Sequence, residues 1–250
     1  MLGGTMSREE LCARFVEDAR RIWGDRLMSV ILYGSAARED FVSGRSDLNF
    51  LLVALDFDPE TLRQLQPIMK KWRRRRIATP LLLERQLIAT SLDSYPLEFL
   101  SMSGAYRVLH GEDVLAGLEF KRDDVRLQCE RELKSKLLLL REAYVDSAGA
   151  RVLLHGLIGK SLPAMTAIFQ GLLFLQGRPW KLSGEDLLAA GKEGFDLDQE
   201  LFTELWRVKR GRSKPGGEET HRLLGGYIRE MERLAGWADR GGIGDRPRRT

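Results

Sequence analysis

Residues 32–53 read LYGSAAREDFVSGRSDLNFLLV, and this stretch decides the fold. It opens inside an apolar run, Leu27 to Leu32, which is too short for a helix and is closed by Tyr33-Gly34, the pattern of a buried strand. A polar, glycine-containing loop follows through Ser46. Leu48 to Leu55 then forms a second apolar run, whose continuity predicts a strand covered on both faces. Asp47 and Asn49 are two residues apart, so on a strand their side chains leave the same face while Leu48 enters the core.

Outward from this pair of strands the pattern is helical on the N-terminal side. Ser7 with Glu10 reads as a capping box, and Leu11, Phe15, Ala19, Ile22 and Trp23 recur at helical spacing until Gly24. On the other side, Asp58-Pro59 starts a helix on Leu62, Leu65, Ile68, Met69 and Trp72 that ends in Arg73 to Arg76, where cations suit the helix dipole. Pro80 to Leu83 reads as a weak strand, Glu84 to Leu92 as a short helix and Pro96 to Leu100 as another short strand. Tyr106 to Leu109 extends the sheet before Gly111-Glu112-Asp113 turns the chain. Beyond residue 120 the texture becomes helical. Val125, Cys129, Leu133, Leu137, Leu140 and Tyr144 share a face, Gly149 interrupts, and Val152 to Leu175, Leu201 to Val208 and His221 to Trp237 supply further helices. The expected class is α+β. A small mixed sheet with flanking helices spans 1–118, an all-α bundle spans 119–240, and 241–250 is a basic tail.

The quoted stretch resembles the signature of the DNA polymerase beta nucleotidyltransferase superfamily. Its parts are an apolar strand, Gly34-Ser35, a loop, then Ser46-Asp47-Leu48-Asn49 leading into a second strand. The pairing with a helical C-terminal half resembles the aminoglycoside nucleotidyltransferase branch. The resemblance covers residues 25 to 115 by motif and the helical half by architecture alone. It implies transfer of a nucleoside monophosphate from Mg-NTP to a hydroxyl of a small molecule or a protein. Gly34 lets backbone approach a phosphate, Ser35 adds a hydroxyl, and the amides of a following turn face the phosphates. Two carboxylates at positions 47 and 49 would share Mg²⁺ ions that neutralise the triphosphate. A third acid, expected from a neighbouring strand as metal ligand or base, is best matched by Glu98, with Asp93 and Asp56 behind it. The implied site is thus Asp47 and Glu98 for metal and catalysis, with Gly34, Ser35, Ser46 and Asn49 around the nucleotide.

The chain departs from this family at Asn49. An amide has no charge, and its one carbonyl oxygen does not bridge two cations. Unit charges 4 Å apart interact by roughly 4 kcal/mol at an effective dielectric of 20. Since about 1.4 kcal/mol is tenfold in rate, losing an acid beside a dication weakens catalysis by decades. A non-catalytic module with a regulatory role, binding a nucleotide or a protein, is therefore the alternative.

Composition bounds the rest. The 250 residues are 43% apolar and carry a net charge of +4, which excludes global disorder and suits one large or two ordinary domains. The longest uncharged stretch, Ser161 to Gly177, holds Ser161, Pro163, Thr166, Gln170 and Gln176 and makes a poor bilayer segment, so no membrane partner is expected. Met1 to Glu10 has no apolar signal core, and a cytoplasmic location is expected. Cys12, Cys129, His110, His155 and His221 are scattered, so neither zinc nor a disulfide is expected. Lys70 to Arg76 and the cluster Arg207, Lys209, Arg210, Arg212 and Lys214 invite a nucleic-acid reading, which ranks behind solvated helix surface. Glu98 has its own bland reading, as a rim acid paired with a nearby arginine such as Arg107, and His155 reads as a satisfied core histidine.

Overall fold

A computed structural model describes residues 6–38 and 47–240. These residues fall into two units. The first comprises residues up to Leu92 and Met102–Glu119, the second Asp93–Ser101 and everything from Phe120. The division differs from a single cut at 118/119 because residues 93–101 group with the helices of the second unit.

In the first unit, α1 (Arg8–Trp23) begins at the Ser7 capping box: the Ser7 hydroxyl accepts the Glu10 N–H while the Glu10 carboxylate accepts the Ser7 N–H. Strands β1 (Leu27–Tyr33), β2 (Asn49–Ala54), β3 (Leu81–Glu84) and β4 (Tyr106–Gly111) form one sheet in the order β3-β2-β1-β4. β1 pairs antiparallel with β2 and with β4, and β2 pairs parallel with β3, so the sheet is mixed. Phe50 to Ala54 are all buried, as the unbroken apolar run requires. α2 (Pro59–Arg73) lies in the same core as α1. Phe15 of α1 stacks on Phe50 of β2 with centroids 4.2 Å apart, and Trp72 of α2 meets Phe15 edge-on. The Trp72 indole N–H donates to Oδ2 of Asp18 at 2.9 Å, which satisfies the polar edge of a side chain with 0% exposure. α3 (Arg85–Thr90) follows β3.

Asp58 caps α2, accepting the Thr61 N–H at 2.9 Å, the Thr61 hydroxyl and an Arg26 N–H at 3.1 Å. The Thr61 hydrogen bonds foremost, then Arg26, hold its carboxyl well below the usual carboxylate range. A carboxyl depressed in the folded state contributes stability that is present above the unfolded value near pH 4 and is lost as pH falls below it. Asp58→Asn keeps a capping side chain and removes the titration. Urea melts of this variant between pH 6 and pH 2 are expected to show a shallower acid decline than wild type, and coincident acid limbs would contradict the assignment.

Pro96 to Leu100 is not a strand. It belongs to α4 (Pro96–Gly104), with Pro96 at the first helical position, where its missing N–H costs nothing. Leu97 and Leu100, three apart, face inward while Glu98 is exposed.

The second unit contains α5 (Arg122–Asp146), α6 (Arg151–Ser161), α7 (Pro163–Leu175), α8 (Gly184–Phe195), α9 (Gln199–Lys209) and α10 (Gly217–Asp239). Val125, Cys129, Leu133, Leu137 and Leu140 form the buried stripe of α5. Phe169 of α7, Phe195 of α8 and Phe202 of α9 pack ring to ring, and Phe202 continues onto Tyr227 of α10. Arg151–Leu175 is long and apolar enough to cross a membrane by length and composition, contrary to expectation for this region. The span changes helix at Leu162-Pro163, however, and Leu154, Ile158, Met165, Phe169 and Leu172 sit in the core of this unit. α8 was not expected. Its three glycines hide the helix, and two of them serve close packing: a Cβ would lie 3.0 Å from Cδ2 of Leu197 at Gly191 and 2.5 Å from Oε1 of Gln176 at Gly194, whereas Gly184 opens the helix at φ of 57°.

Candidate functional site

The register of β1 and β2 sets Tyr33 opposite Asn49. Gly34 leaves β1 immediately after Tyr33, and Asp47 enters two residues before Asn49, so the two motif segments meet at one end of the strand pair. Gly34 has φ of 76°, and its N–H donates to the Ala105 carbonyl at 2.8 Å. A Cβ at Gly34 would lie 3.7 Å from Nδ2 of Asn49, an ordinary contact. The turn therefore needs glycine for its left-handed backbone rather than for room. Ser35 is exposed at the second position of the short 3₁₀ turn Gly34–Ala37. The phenol of Tyr33 is pushed up by burial and stays neutral.

Asp47 is exposed, and its Oδ1 accepts a hydrogen bond from Nε of Arg76 at 3.1 Å. The backbone fixes this encounter. The Leu48 N–H donates to the Arg76 carbonyl at 2.8 Å, and the Ala78 N–H donates to the Leu48 carbonyl at 3.0 Å, a parallel bridge between Leu48 and Ile77. Arg76, in turn, adopts φ of 61°, where a side chain is disfavoured by roughly 1–2 kcal/mol. Sequence reasoning missed Arg76 as a site residue. It read Arg73 to Arg76 as a uniform helix end, and no local pattern distinguishes the one arginine that pairs with a residue 29 positions away.

Glu98, placed on a strand by the sequence reading, is on α4 in the second unit. Its Oε2 accepts a hydrogen bond from Nε2 of Gln128 at 2.7 Å, and Oε1 of the same glutamine accepts the Leu97 N–H at 2.7 Å. Glu98 is an exposed acid, but Arg107, the arginine named for its bland reading, pairs instead with Glu9 at 2.6 Å and is the main cause of Glu9's lowered pKa. Asp56 pairs with Arg26 at 2.6 Å. Ser46 lies outside the described residues.

The donor set does not fit a pair of divalent cations. Such ions need carboxylates that bridge, and of the two motif positions the second, Asn49, is an amide while the first, Asp47, is engaged by a guanidinium. Among the described residues, no three His, Cys, Asp or Glu side chains come together as a metal site.

Several of the other candidates have structural partners. Nε2 of His155 lies 3.1 Å from the Thr220 hydroxyl, a satisfied histidine. Burial pushes the Cys12 thiol up to about 11 and raises Cys129 further, so neither is a nucleophile near neutral pH. In the second basic cluster, Lys209 and Arg210 lie over the Trp206 ring, 4.8 and 5.6 Å from its centroid, and Arg207 faces Glu204. In the first, Lys71 pairs with Asp18 and Arg73 donates to the Thr79 hydroxyl.

No protein-family model matches the chain, and no curated protein sequence does. Ten chains of known structure do match. One is the spectinomycin adenyltransferase AAD(9) from Enterococcus faecialis, whose crystal structure contains ATP and spectinomycin. It aligns with a TM-score of 0.57 at 12% identity over 90% of this chain and 100% of that one. At this identity the likeness is one of fold. The small mixed sheet with flanking helices, followed by a large helical part, is the nucleotidyltransferase-like fold with a C-terminal helical domain.

Proposed function

We propose that this chain binds a nucleoside triphosphate at the Gly34–Ser35 turn and that its transfer of the nucleoside monophosphate to an acceptor hydroxyl is weakened or lost. The observation that carries this reading is the neighbourhood of the turn: Gly34 adjoins Asn49, an amide, and the remaining acid, Asp47, is held by Arg76. The turn offers what a polyphosphate needs, namely backbone that approaches closely and an exposed hydroxyl on Ser35. What is reduced is the carboxylate charge that phosphoryl transfer relies on to hold cations against the developing charge. The structural neighbour was crystallised with ATP and spectinomycin, which supports ATP as the first nucleotide to test and a small hydroxyl-bearing molecule as the acceptor class.

The test is equilibrium binding of labelled ATP to the full chain, together with pyrophosphate release with Mg²⁺ or Mn²⁺ and spectinomycin as a probe acceptor. Saturable binding is expected, with release by wild type at least about a hundredfold slower than that of an active nucleotidyltransferase run alongside, a difference of about 2.7 kcal/mol in barrier. Comparable release rates would make the chain an ordinary enzyme. Absence of any nucleotide binding would remove the reading altogether.

A further inference from the structure

The pair between Asp47 and Arg76 extends the nucleotide-binding reading, on which this inference rests. We propose that Arg76 takes the place of a divalent cation at this site and holds the nucleotide's phosphates itself, so that a nucleoside triphosphate binds without metal. Three observations converge on this. Nε of Arg76 lies 3.1 Å from the one acid the motif retains, so a fixed positive charge occupies the carboxylate that a cation would need. The second motif position is Asn49, an amide, so Asp47, already engaged by Arg76, is the one carboxylate that these two motif positions offer a dication. The pair is exposed on both partners, at 51% and 57%, so phosphate can reach it.

The ion pair with Asp47 does not by itself explain an arginine at this backbone position. An exposed ion pair contributes roughly 0.2–1 kcal/mol, no more than the left-handed backbone of Arg76 costs. Glycine or asparagine would serve the backbone better at that position. What the arginine adds is a planar, permanently charged group suited to bidentate contact with phosphate oxygens. The bridge between Leu48 and Ile77 fixes where it projects. Asp47 then acts as a positioning residue for Arg76 rather than as a metal ligand.

The experiment is titration of the full-length protein with a fluorescent ATP analogue, once with excess Mg²⁺ and once with EDTA. Wild type is expected to bind within about threefold in the two buffers. Arg76→Gly is expected to weaken binding about tenfold or more in EDTA. Because glycine suits φ of 61°, this variant should melt no lower than wild type, which separates loss of binding from loss of fold. Asp47→Asn supplies a test of sign. A metal ligand replaced by an amide loses binding in Mg²⁺, whereas removing a carboxylate that repels phosphate leaves affinity at least as high. A tenfold or greater loss of wild-type affinity in EDTA overturns the proposal while leaving nucleotide binding intact. So does Arg76→Gly binding as wild type does, or Asp47→Asn binding about tenfold more weakly in Mg²⁺. Absence of binding in both buffers removes this proposal and the nucleotide-binding reading together.

Discussion

A chain carrying both Asn49→Asp and Arg76→Gly is expected to bind Mn²⁺ at least about a hundredfold more tightly than wild type, a change of about 2.7 kcal/mol. The first substitution adds a carboxylate at the first residue of β2, two positions from Asp47, and the second removes the guanidinium that occupies Asp47. Each unit charge at about 4 Å contributes roughly 4 kcal/mol at an effective dielectric of 20, and more against a dication, before desolvation is subtracted. A hundredfold change is therefore a conservative remainder. The two substitutions flank one carboxylate, so the single variants should not add up to the double, and a double-mutant cycle measures the coupling. Electron paramagnetic resonance of free Mn²⁺ reads the result directly. An affinity within about threefold of wild type would mean that charge at residues 49 and 76 does not govern the site.

The second large effect is on the fold that carries the site. Trp72→Ala is expected to destabilise the first unit by about 3–5 kcal/mol. Trp72 is fully buried, meets Phe15 edge-on and satisfies Asp18 through its indole N–H. Its loss leaves a cavity between α1 and α2 and removes a neutral donor from Asp18, although Lys71 and Arg21 still face that carboxylate. Against a typical total of about 5–15 kcal/mol, this brings the unit close to unfolding. Hydrogen exchange of the β1 and β2 amides under native conditions reads this unit specifically. Trp72→Phe, which keeps a ring and loses only the hydrogen bond, should cost less. A loss below about 1 kcal/mol for the alanine variant would contradict the packing described.

Much of this architecture is legible from local chemistry. The capping box at Ser7 and Glu10, Asp58-Pro59 at the head of α2 and the apolar runs of β1 and β2 each carry their own signal, and each forms the element its pattern predicts. The parallel register of β3 on β2 does not follow from three leucines and a glutamate, because pairing is decided by the crossover through α2. α4 was misread because five residues cannot separate alternation from helical spacing, and Pro96 was read as a strand boundary rather than a first helical turn. α8 is hidden by its glycines, of which Gly191 and Gly194 serve close packing inside the helix rather than chain reversal. The sequence offers Gly34, Ser35, Asp47 and Asn49 as candidate site residues because the motif is contiguous along two strands and one loop. It does not offer Arg76. Its pairing with Asp47 is created by the Leu48–Ile77 bridge, a tertiary contact with no trace in either local segment. Glu98 was chosen as an acid in an apolar context, yet that context is the buried face of a helix whose exposed acid bonds Gln128.

The most direct test of the nucleotide site is an amide chemical-shift titration of the full chain with ATP. If the strand-end turn is the phosphate site, the backbone resonances of Gly34 to Ala37 and the side-chain amide of Asn49 shift first and saturate together. Saturable shifts confined to other residues, or no shifts at concentrations well above those of cellular nucleotides, would contradict it.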